Sequence, residues 1–200
     1  FARQSLTLLR DRRYDPGARR RASLLTLWDE RLIELFDRVP SIGEWTDGRM
    51  DGWTDGRMGD LATGRRITWE TRCALRAPSG DERTLVVDTL GFPPEGDDSA
   101  ARLLVAAYER GWRRFVAYNW RGGRFAACGL GPGTEGVRID LYGDVGDYAG
   151  SGLDGAEVHI HSDAQDQVGQ ILKEGKLVVH GDVGQTFLYG AKGGTIYVLG

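Results

Sequence analysis

The sequence predicts an α+β chain: a β-helix of nineteen-residue coils, preceded by a small βαβ unit and an N-terminal amphipathic helix. Three observations carry this. From Val137 the sequence repeats with a period of nineteen and no insertion. Glycine makes up 30 of the 200 residues, 13 of them in the last sixty, about twice the usual share of roughly 7%. A strand, a helix and a second strand follow one another between Thr84 and Asn119, the pattern of a βαβ unit. Apolar residues at 40% and charged residues at 28% suit a folded chain with a core.

Residues 1–40 carry nine Arg and six acids. Ala22, Leu25, Trp28, Leu32, Leu35, Phe36 and Val39 recur at helical spacing, so one amphipathic helix is expected from about Ala18 to Arg38. Pro16-Gly17 before it and Pro40 after it are suitable boundaries. It reads as a helix docked on a neighbouring domain rather than a nucleic-acid arm. Residues 41–83 read as a turn-rich linker. They contain a duplication, Trp45–Gly52 followed by Trp53–Asp60, with Asp-Gly turn signals. Asp47, Asp51 and Asp55 lack the spacing and closing glutamate of a calcium loop.

Residues 84–136 read as the βαβ unit and an entry strand. Thr84–Asp88 is a buried strand, and Asp97-Asp98-Ser99 offers N-caps. Ala101, Leu104, Val105 and Tyr108 form a helical stripe that Gly111 ends, and Arg114–Asn119 is the second strand. Arg124–Cys128 is expected as a further short strand. Gly129–Gly133 is too poor a match for a phosphate loop and reads as a connector.

Residues 137–200 form the ladder. Ile139, Val158, Leu177 and Ile196 make one apolar column, and Leu141, Ile160, Val179 and Val198 a second. Val145, Ala164 and Val183, then Ala149, Val168 and Phe187, then Leu153, Leu172 and Ala191 continue the inward face. A fixed period with columns of one character marks a solenoid, and nineteen residues fit one β-coil with short strands bent at glycines. Arg138, Glu157 and Lys176 share a column of alternating charge, favourable between adjacent coils. The chain starts at Phe1 and stops at Gly200 directly after the fourth ladder strand, from which a piece of a longer protein is expected.

Candidate chemistry is sparse. Asp144, Asp163 and Asp182 form an acidic column, read as side chains capping turn amides. His161 and His180 share a column with Tyr142 and Leu199, while His159 lies in a different one. Two imidazoles make a weak metal site, so a solvated or hydrogen-bonded stack is expected and no metal ligand is assigned. Cys73 and Cys128 have no histidine nearby in sequence and cannot build a disulfide framework. No catalytic or cofactor-binding residue is assigned. A net charge of −3 argues against a general nucleic-acid binder, no apolar run reaches the roughly 20 residues of a membrane span, and a reducing, cytoplasmic setting is expected.

The run Gly146-Asp-Tyr-Ala-Gly-Ser-Gly-Leu-Asp-Gly-Ala156 resembles the signature of the C-terminal β-helix domain of glutamate synthase large subunits. Gly181-Asp-Val-Gly184 and Leu188-Tyr-Gly-Ala-Lys-Gly-Gly194 resemble that family's next coils. The same right-handed β-helix occurs as a subunit of formylmethanofuran dehydrogenase. The likeness covers Val137–Gly200 and departs at Gly146, where Asn is usual, and at Ala156, where Gly is usual. It implies a right-handed β-helix that supports catalytic neighbours. Those would be an amidotransferase and a synthase carrying FMN and an iron–sulfur cluster, in a glutamine-dependent oxidoreductase. No cofactor is implied within this chain. The alternatives are a stand-alone solenoid interaction module and a β-helix polysaccharide lyase.

Overall fold

A computed structural model describes residues 21–43 and 61–200. The Asp-Gly duplication and the first turn of the expected N-terminal helix lie outside these residues. The seven strands are β1 (Gly64–Ile67), β2 (Thr84–Asp88), β3 (Arg114–Arg121), β4 (Arg138–Asp144), β5 (Asp154–Ile160), β6 (Glu174–Val179) and β7 (Thr195–Val198). They form one sheet in chain order, and every pairing is parallel. A parallel sheet in which each strand pairs only with its neighbours in sequence is a β-solenoid.

The register fixes the coil length. Gly64 pairs with Thr84, Thr84 with Arg114, and Arg114 with Arg138. From there Arg138, Glu157, Lys176 and Thr195 pair in series, nineteen residues apart each time. The ladder columns stack as their chemistry requires. Ile139, Leu141, Val145, Ala149, Val158, Ile160, Val168, Leu172, Leu177 and Val179 are fully buried inside the coil.

Two expectations change. The βαβ unit is present, with α2 (Ala100–Glu109) between β2 and β3, but it is not set apart from the solenoid. β3 pairs directly with β4, and β1, inside the stretch expected as a linker, pairs with β2. The solenoid therefore spans 64–198, with α2 replacing the corner of one long coil. Ser99 caps α2 by accepting from the Arg102 amide at 3.4 Å, while Leu104 and Ala107 reach the common core. The second change is Arg124–Cys128, which is not a strand. Phe125 and Ala127 have φ of 60° and 58°, a left-handed backbone that cannot continue an extended ladder.

That left-handed pattern is the corner of the solenoid. Phe125, Ala127 and Gly129 have positive φ, and so do Tyr148, Gly150 and Gly152 one coil on. The set recurs at Gln167, Gly169 and Ile171, and again at Thr186, Leu188 and Gly190. Alternate amides turn in opposite directions. Tyr148 N–H donates forward to Asp166 O at 3.0 Å, and Gly150 N–H donates back to Ala126 O at 2.8 Å. The corner thus stays hydrogen-bonded to both neighbouring coils.

Helix α1 (Arg21–Asp37) covers the outer face of the first strands. Leu32, Phe36 and Val39 pack on Val86, Val116 and Tyr118. The Phe36 ring lies 5.1 Å from Tyr118 and 5.2 Å from Tyr142. Asp37 fastens the helix end, accepting from Tyr118 Oη at 2.6 Å and pairing with Arg66 at 2.9 Å. No helix among the described residues is long and apolar enough to cross a membrane.

Candidate functional site

Side chains alternate between the faces of a strand. With Ile139, Leu141, Val158 and Ile160 inside, residues 138, 140, 142, 157, 159 and 161 must face out. Parallel register then sets Asp140 against His159 and His159 against Val178. The outer face of β4–β6 consequently gathers a polar network beside α1.

Its spine is a file of rings. Tyr142 stacks on His161 with centroids 4.2 Å apart and planes 5° from parallel, and His161 stacks on His180 at 4.7 Å and 13°. The expected histidine stack is therefore present. His159 joins it from the same face, its Nδ1 lying 3.4 Å from His180 Nε2. One ring nitrogen from each of the three histidines falls within 4.8 Å of the other two. The signal for His159 was in the sequence: residues two apart in a strand share a face.

Carboxylates orient two of the rings. His161 Nε2 meets Asp140 Oδ1 at 2.8 Å, with both side chains almost wholly buried. His159 Nε2 meets Glu157 Oε1 at 2.6 Å. Arg138 bonds both oxygens of Asp140, at 2.9 and 3.1 Å, and Glu157 Oε1 at 2.8 Å. Lys176 reaches Glu157 at 3.3 Å, so the expected charge column of Arg138, Glu157 and Lys176 is formed. Burial, the largest influence on Glu157, raises its pKa, but His159, Arg138 and Lys176 outweigh it and hold the carboxyl below its usual range. Burial pushes the His159 imidazole down, against the opposing pull of Glu157.

The network opens onto a cleft of about 340 Å³ between α1 and the ends of the outer strands. Leu25 and Asp29 of α1 form one wall, and His180 with Asp144, Asp163 and Asp182 forms another. The acidic column thus faces the cleft. Asp163 also caps a backbone amide, that of Asp182 at 2.9 Å. A parallel column that sequence reading missed does the same: Asp147 accepts from the Asp166 amide at 3.2 Å, and Asp166 from the Gln185 amide at 2.7 Å. The two thiols lie elsewhere. Cys73 is exposed. Cys128 donates to Tyr148 O at 2.8 Å, and burial pushes its thiol up to about 12.

Comparison with protein-family models, with curated proteins and with solved structures finds no match for this chain.

Proposed function

We propose that this chain is a scaffold: the right-handed β-helix of a glutamate-synthase-type oxidoreductase, supporting an amidotransferase and an FMN and iron–sulfur synthase that carry the chemistry. The observation that carries this reading is the corner. The run Gly146–Ala156, which bears the resemblance, contains the left-handed triplet of Tyr148, Gly150 and Gly152. The same conformation returns in register in the next two coils. The departure at Gly146 has a local cause, because a Cβ there would strike the carbonyl oxygens of Gly122 and Gly123 in the preceding coil. Asn has no room at that position.

A further feature supports a scaffold. The interior of the coils is filled with apolar side chains, which leaves rigidity as its contribution. The lyase alternative finds less support, because among the described residues no Arg or Lys lines the acidic cleft to bind a polyuronate.

The test is an assay of the full-length gene product, purified gently with whatever it binds. Glutamine-dependent formation of glutamate from 2-oxoglutarate is expected. Absence of this activity from a preparation that retains its bound proteins and flavin would count against the reading.

A further inference from the structure

We propose that His159, His161 and His180 form a binding site for a divalent transition-metal ion of the zinc type, on the outer face of β5 and β6. The inference does not depend on the scaffold reading.

The first support is spacing. Zinc binds imidazole nitrogen at about 2.0–2.1 Å, so ligands at two corners of a tetrahedron stand about 3.3 Å apart. His159 Nδ1 and His180 Nε2 already stand 3.4 Å apart. All three ligand nitrogens lie within 4.8 Å of one another, so binding draws the rings together by at most about 1.5 Å to reach the tetrahedral edge.

The second support is the shell around the rings. Metal-binding histidines donate their other ring N–H to a carboxylate or carbonyl, which fixes the tautomer and raises the basicity of the ligating nitrogen. His159 and His161 are both placed this way, each with Nε2 on a carboxylate, Glu157 and Asp140. For His159 that tautomer leaves Nδ1 unprotonated, the atom it turns toward His180. Arg138 holds both carboxylates and so fixes the pair that orients the rings.

The third support is placement. The ligands come from two successive coils whose register is locked by the pairing of Glu157 with Lys176 and Ile160 with Val179. His180 also lines the cleft under α1, which gives an ion a route from solvent. Three imidazoles leave a fourth position for water. Imidazole nitrogen favours zinc, copper, nickel and iron over magnesium or calcium.

The test uses the untagged, metal-free chain titrated with Co2+, which acquires a visible absorption band in a tetrahedral site, followed by Zn2+. One equivalent of Co2+ is expected to saturate the band, and Zn2+ to displace it. Zn2+ should also raise the thermal midpoint, because it binds only the folded register. His159→Gln and His180→Gln should each remove the band while circular dichroism stays unchanged. Asp140→Asn and Glu157→Gln should weaken zinc binding about 10–100-fold. The proposal is overturned if the wild-type chain gives no band, or if the band survives in the His159→Gln/His180→Gln double variant. It is equally overturned if Cys73→Ser abolishes the band, since the ligands would then lie elsewhere.

Discussion

Glu82 shows how a single buried charge is tolerated. Its side chain accepts from Arg76 at 2.6 and 2.8 Å, from the Ser79 amide at 2.9 Å, and pairs with Arg65 Nε at 2.8 Å. Burial works to raise its pKa, yet these partners prevail and lower it from an ordinary 4.5 to about 2. A depressed carboxyl contributes stability above its unfolded pKa and loses it as pH falls through the folded value. Wild-type stability should therefore drop between pH 4.5 and about 2, by about 2–3 kcal/mol from this group. Denaturant melts of wild type and Glu82→Gln check this, and equal acid sensitivity in the two would contradict it. Cys128 gives a second test at this scale. With its thiol held protonated, one cysteine per native chain, Cys73, should be alkylated at neutral pH, and both after unfolding. Ile171 gives a third. It is 57% exposed and has φ of 48°, a conformation that is costly for a β-branched residue. Ile171→Gly should stabilise the chain by about 1 kcal/mol in the same melts, and a loss would argue against a strained corner.

The strands and helices differ in how far the sequence disclosed them. Thr84–Asp88 and the nineteen-residue columns were legible because a half-buried strand writes its alternation into the chain. The corners were not. Left-handed conformations fall on Phe125, Tyr148, Gln167 and Thr186 as well as on glycine, so composition alone does not mark them. β1 carries little signal in the sequence because Gly64–Ile67 is a four-residue strand with two arginines, held in place by β2 rather than by its own propensity. In the candidate site the stacked histidines were legible as a column, whereas the reach of His159 and the bracing by Asp140 required the outer face in three dimensions. Two substitutions test the packing of these elements. Thr84 Oγ1 is buried without a hydrogen-bond partner, so Thr84→Val should leave stability unchanged or raise it by about 1 kcal/mol. Phe36 of α1 is buried against Tyr118 and Tyr142. Phe36→Ala should cost about 3–5 kcal/mol in denaturant melts and release α1, seen as faster amide exchange confined to the helix.

At the scale of the whole molecule, one sheet runs from Gly64 to Val198 and each coil touches mainly its neighbours. Such a body is stiff along its axis and presents repeating surfaces, which suits a spacer between catalytic parts. The outer face beside α1 is the exception to that uniformity, with three histidines and an acidic wall in one place. The proposed scaffold role requires redox-active neighbours. The most direct measurement is the visible absorption spectrum of the full-length gene product, isolated gently, together with the masses of the proteins that accompany it. Flavin and iron–sulfur absorption, carried by the same chain or by a bound partner, is expected. A colourless protein isolated alone would contradict it.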